Sequence, residues 1–89
     1  MRIRFRGNIR VRLGTDVVQL DVPRRGMRLR DVVLSIQANF PATARYLDDL
    51  LLPATVRVIV NGTIVSAGEN PLLFYDDDLM FLGAVAGGL

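Results

Sequence analysis

No cysteine, histidine or lysine occurs in the 89 residues, and each absence removes chemistry. Without cysteine there is no disulfide, thiolate metal site, iron–sulfur ligation or thiol nucleophile. Without histidine the chain lacks the usual near-neutral general base and the commonest metal ligand. An enzyme built on it would have carboxylates, hydroxyls and arginine alone, so independent catalysis is not expected. Without lysine the chain cannot accept acyl or isopeptide bonds on its own side chains. No apolar run approaches the length needed to span a bilayer. The opening MRIRFRG has no apolar segment of the secretory kind, so the cytoplasm is the expected address. No P-loop or G-x-G-x-x-G pattern is present.

What remains is apolar and arginine-rich. Hydrophobic residues make up 51% of the chain, which argues for a folded domain rather than disorder. The length allows one domain with a single core. All 11 basic residues are arginines, and the net charge of +2 is too small to establish nucleic-acid binding.

In RIRFR, Ile3 and Phe5 share one face and Arg2, Arg4 and Arg6 the other, the pattern of a half-buried strand. The same parity runs on through Ile9, Val11 and Leu13, which extends the strand unless Gly7-Asn8 marks a bulge or the start of a loop. Gly14-Thr15-Asp16 is turn chemistry. Val18, Leu20 and Val22 then alternate, so these segments predict a β-hairpin. Pro23 to Gly26 reads as a connector. Leu29, Val32, Val33, Ile36 and Phe40 line one helical stripe, which Pro41 ends. ATARYLDDLL suggests a second short helical piece carrying Tyr46, Leu47 and Leu50 before Pro53. Val56, Val58 and Val60 share one face of a strand, with Arg57 and Ile59 on the other, and Asn61-Gly62 signals a tight turn. GENPLLFYDDD reads as a polar-flanked loop. The last strand, DLMFLGAV, sets Leu79 and Phe81 against Met80 and Leu82. The order β-β-α-β-β, with room for one more short strand, predicts an α+β fold. One main helix would pack on one face of a mixed four- to five-stranded sheet. Residues 1–82 form the expected domain and 83–89 a flexible C-terminal tail.

The tail ends Gly87-Gly88-Leu89. One account is a frayed terminus. The other is a carboxylate delivered into a narrow site, for which the residues behind it should be thin and adaptable, as glycine is. Extended at roughly 3.3 Å per residue, the segment from Gly83 to Gly88 reaches about 20 Å. ATP can activate such a carboxylate only where a partner supplies the phosphate-binding site.

RIRF, IRVRLGTD, the helix followed by ARYLDDL, VRVIVNG, DDDLMFL and the terminal AVAGG together resemble the molybdopterin synthase small subunit and its β-grasp relatives. Those relatives are the thiazole-pathway sulfur carrier, the archaeal small ubiquitin-like modifiers and the ubiquitin-related modifier. The resemblance covers Arg2 to Gly88. It implies a β-grasp, ubiquitin-like fold and a sulfur carrier. A ubiquitin-activating-enzyme-like adenylyltransferase would use ATP to adenylate the Gly88 carboxylate, which becomes a thiocarboxylate. The carrier would then dock into the large subunit of molybdopterin synthase, or another sulfur acceptor, as the small sulfur-donating subunit. Gly88 is then the covalent terminus, and Gly87, Ala84, Val85 and Ala86 the inserted tail. The resemblance also admits a protein modifier joined through Gly88 to lysines of other proteins. Leu89 departs from the pattern, since relatives usually end at the second glycine, and a JAMM-type metalloprotease trims some of them. Arg6 departs too, standing where the molybdopterin synthase small subunit tends to expose an apolar docking residue.

Ile59, Met80 and Leu82 are expected on the sheet face away from the helix, with Ile64 beside them. They are covered by a second layer or a dimer contact, or are scattered exposed apolars, or form a partner-docking patch at the root of the tail, the use the superfamily makes of that face. The arginines beside them would attract an acidic partner, or simply protect a strand. No aromatic stacking motif of the RNA-recognition kind accompanies them. Asp76-Asp77-Asp78 lacks the spaced partner ligands of a metal site and reads as a solvated turn.

Overall fold

The alternation in RIRFR does build a strand, and its apolar side anchors the core. A computed structural model describes residues 1–41, 56–66 and 68–83. Strand β1 (Arg2–Arg6) pairs antiparallel with β2 (Val17–Gln19) and parallel with β7 (Asp78–Gly83). Strand β4 (Val56–Val60) pairs antiparallel with β7 and with β5 (Thr63–Ile64). The mixed sheet therefore has the order β2-β1-β7-β4-β5, with the two ends of the domain side by side at its centre. Inward-facing Ile3, Phe5, Val56, Val58, Leu79 and Phe81 are all buried, and Phe5 stacks on its register partner Phe81 with ring centroids 5.7 Å apart. Leu29, Val32, Val33 and Ile36 of helix α2 (Leu29–Asn39) complete the core. The helix ends at Asn39 with Phe40 as its C-cap, just ahead of Pro41, as that proline predicts. Among the described residues no helix is long and apolar enough to cross a membrane.

Three sequence expectations change. First, the parity through Ile9, Val11 and Leu13 belongs to no strand: residues Asn8–Leu13 form the short helix α1. On a helix Ile9 and Leu13 share a face while Val11 points away. Accordingly Ile9 is fully buried, Leu13 packs against the core, and Val11 is 73% exposed. The expected hairpin is thus an antiparallel pair joined through a helix, not through a tight turn. Second, β2 stops at Gln19; beyond it the Leu20 N–H donates to the Met1 carbonyl, and Leu20 and Val22 pack on the core from irregular backbone.

Third, Pro23 to Gly26 is a connector as expected, but Met27-Arg28 after it and part of the stretch read as a loop form a second sheet. Strand β3 (Met27–Arg28) pairs antiparallel with β6 (Leu72–Leu73). Leu73 is buried beneath it. Gly26 makes this pairing possible. Its φ is +88°, and a Cβ there would stand 2.8 Å from the Leu73 carbonyl oxygen and 3.0 Å from the Phe74 ring. Both strands are too short for period-2 alternation to register.

The Asn61-Gly62 turn forms as expected, with φ of +49° and +84°, the twist that suits a two-residue hairpin. The last strand runs through Gly83, which pairs with Val56 and is buried. The expected second helical piece, ATARYLDDLL, lies outside the described residues.

Candidate partner-docking face

Alternation within three strands and the pairing between them decide which side chains meet on the outer face. Residues level with one another across neighbouring strands form rows about 4.8 Å apart from strand to strand. One row runs Val17, Arg4, Met80, Ile59, Ile64. The next, toward the end of β7, runs Arg6, Leu82, Arg57. On the other side Gln19, Arg2 and Asp78 lie level. The structure thus brings together all five of the expected docking residues it describes. Ile59, Met80, Leu82 and Arg6 are half-buried and Ile64 is 60% exposed.

The charge on this face is uneven. Arg4 donates to the Asp78 carboxylate at 2.5 Å, so the outward carboxylate of β7 is already matched. Arg6 and Arg57 make no ion pair among the described residues. They stand on either side of Leu82, next to Gly83, from which the chain continues into its C-terminal segment. The uncompensated positive charge therefore gathers where that segment leaves the sheet.

The far end of β7 is held by a polar knot that sequence reasoning did not find. The Asn61 N–H donates to the Asp78 carbonyl at 2.8 Å. The Asn61 side chain donates to Asp77 Oδ1 at 2.9 Å and accepts the Asp78 N–H at 2.8 Å. Asp77 Oδ2 accepts the Phe74 N–H at 2.7 Å. Two of the three consecutive aspartates are thus committed to turn geometry and an ion pair, within the exposed turn expected before the last strand. The knot fixes the start of β7, and with it the register that sets Met80 beside Ile59 and Leu82 beside Arg57.

Among the described residues no three carboxylates gather as a metal site. Arginines and apolar side chains on a rigid sheet can bind a surface; they hold no nucleophile or general base. Gly88, Gly87, Ala84, Val85 and Ala86, expected to carry the chemistry, lie outside the described residues, as does Leu89. Arg57 was visible only as an outward residue of its strand; its place beside Leu82 needs the register.

The sequence model described as ThiS family matches residues 3–88. No curated protein matches the chain. Among solved structures, small archaeal modifier protein 1 from Haloferax volcanii is similar over 99% of this chain and 98% of its own, with 23% identity and a TM-score of 0.76. A Pyrococcus furiosus protein assigned as molybdopterin converting factor, subunit 1, is similar over 94% of this chain and 95% of its own, with 24% identity and a TM-score of 0.69. The small archaeal modifier protein 1 from Methanosarcina acetivorans is similar over 98% and 94%, with 23% identity and a TM-score of 0.68. At these identities the likeness is one of fold, the β-grasp.

Proposed function

The chain belongs to the ThiS family, and from that premise we propose that it is a sulfur carrier whose working group is the Gly88 carboxylate. The observation that carries this reading is the extent of the family match, which runs to Gly88 and leaves out only Leu89 at that end. Removal of Leu89, by a JAMM-type metalloprotease or another peptidase, frees the carboxylate. In the site of an adenylyltransferase of the ubiquitin-activating kind, a carboxylate oxygen then bonds to the α-phosphorus of ATP and pyrophosphate leaves. A hydrosulfide-equivalent donor attacks the acyl carbon, AMP leaves, and a thiocarboxylate remains. The chain contributes the carboxylate, the thin Gly87-Gly88 approach, the segment beyond Gly83 that carries it and the docking face; the phosphate-binding groups come from the partner. The acceptor we propose is the pterin precursor of the molybdenum cofactor, reached by docking into a molybdopterin synthase large subunit.

Intact mass of the protein from its native cells tests the carrier reading. The expected species ends at Gly88 and is heavier than the free acid by the difference between one sulfur and one oxygen. A population consisting only of the Leu89 form would refute it. Adducts in which Gly88 is joined to lysines of other proteins would favour the modifier reading, to which the likeness to the small archaeal modifier proteins lends its fold. ATP–pyrophosphate exchange by the activating partner should appear with the Gly88-ended chain and fall by at least about tenfold in Gly88→Ala.

A further inference from the structure

The row Arg6, Leu82, Arg57 crosses three adjacent strands at the level where β7 ends. With neighbouring strands about 4.8 Å apart, the two arginines stand roughly 10 Å from each other at Cα, one on each side of a half-buried leucine. The next row is different in kind. There Arg4 is answered by Asp78, and Met80, Ile59 and Ile64 continue the line without charge. The outward residues of the five-stranded sheet thus provide one carboxylate for four arginines, and that carboxylate is engaged with Arg4, away from the tail.

We propose that Arg6 and Arg57 form a two-point clamp that selects, among the proteins receiving the tail, those presenting carboxylates on either side of an apolar slot for Leu82. The identity of those proteins as tail acceptors rests on the carrier reading; the surface chemistry does not. Two copies of this chain meeting through this face would oppose arginine with arginine, which argues against that symmetric pairing as the occupant. A planar guanidinium binds a carboxylate in a bidentate manner, which gives the clamp orientation as well as attraction. Charges at the rim of a contact act on encounter rate and on rejection of wrong partners more than on final affinity.

The test uses the full chain, labelled for amide-resolved NMR, titrated with a capped peptide EELLEE, with its counterpart KKLLKK, and with oligouridylate. EELLEE should shift the amides of Arg6, Arg57, Leu82 and Gly83, and KKLLKK should not. Between about 0.1 M and 1 M salt, where the Debye length falls from about 10 Å to about 3 Å, the response should largely disappear. The double variant R6E/R57E should weaken EELLEE by about tenfold or more at an unchanged circular dichroism spectrum. R6K/R57K, which keeps the charge and loses the bidentate fork, should weaken the response less than R6E/R57E does, and R24E/R25E, outside the clamp, should keep all of it. Shifts confined to other surfaces, no shifts, or a response that survives R6E/R57E would overturn the proposal. Tighter binding of oligouridylate than of EELLEE at the same row would also overturn it, in favour of nucleic acid. With the activating partner and the Gly88-ended chain, R6E/R57E should slow pyrophosphate exchange at subsaturating carrier by about tenfold or more. Unchanged exchange would overturn the clamp while leaving the carrier reading intact. Peptide mapping as expected with no exchange by the wild type would do the reverse.

Discussion

At the scale of single residues, two glycines with nearly the same backbone angle carry different constraints. Gly62 has φ +84° with nothing within 4 Å of a built Cβ, whereas Gly26 has φ +88° and the Leu73 carbonyl oxygen at 2.8 Å. Gly62→Ala should cost only the left-handed penalty, about 1 kcal/mol. Gly26→Ala adds a backbone collision that can be relieved only by parting β3 from β6, and should cost about 3 kcal/mol. Urea unfolding of the two variants measures the difference, and equal midpoints would contradict the close approach. Asn61 is a second test. It tolerates its positive φ, and its side chain both donates to Asp77 and accepts from Asp78. Asn61→Ala should therefore lose about 2 kcal/mol. Asp77→Asn should lose about 1 kcal/mol, because an amide has one acceptor oxygen where the carboxylate uses two. The NG signal in the sequence predicts the turn. It says nothing of these bonds, because Asp77 is remote in sequence and reaches Asn61 only when β4 and β7 pair.

At the scale of elements, α1 is the most informative departure. A period of two and a period of four agree on Ile9 and Leu13 and disagree on Val11, so six residues cannot decide between strand and helix without the tertiary fold. Ile9→Ala should cost about 2–4 kcal/mol as a buried truncation, while Val11→Ala should stay within about 0.5 kcal/mol. Comparable losses at both positions, measured by thermal or urea unfolding, would restore the strand. Helix α2 was legible because four apolar positions over three turns admit no strand reading. Strands β4 and β7 were legible because each alternates for at least five residues. Strands β3 and β6, at two residues each, offer no periodicity, and their pairing joins segments far apart in the chain. The docking face was legible in its members and not in its arrangement. Alternation assigns Arg6, Arg57 and Leu82 to one side of their strands, but only the parallel β1–β7 and antiparallel β4–β7 registers make them a row.

At the scale of the whole molecule, the central pairing joins the first strand to the last, so the sheet cannot close until β7 is present. A fragment of residues 1–66 lacks Leu79 and Phe81, both fully buried, and leaves β1 with only the three-pair β2 as neighbour. It should show no cooperative urea transition and poorly dispersed amide resonances; a cooperative transition would mean that the core can do without its last strand. Non-local pairing of this kind also slows folding relative to helical domains of similar size. The same arrangement decides how the molecule bears load. Strands β1 and β7 run parallel, with Arg2 level with Asp78 and Arg6 level with Leu82. Tension applied between the start of β1 and the end of β7 acts along both strands in opposite senses. Their hydrogen bonds are then strained together in shear and do not unzip one after another, so a machine hauling on the C-terminal segment against a held N-terminus must rupture the whole seam at once.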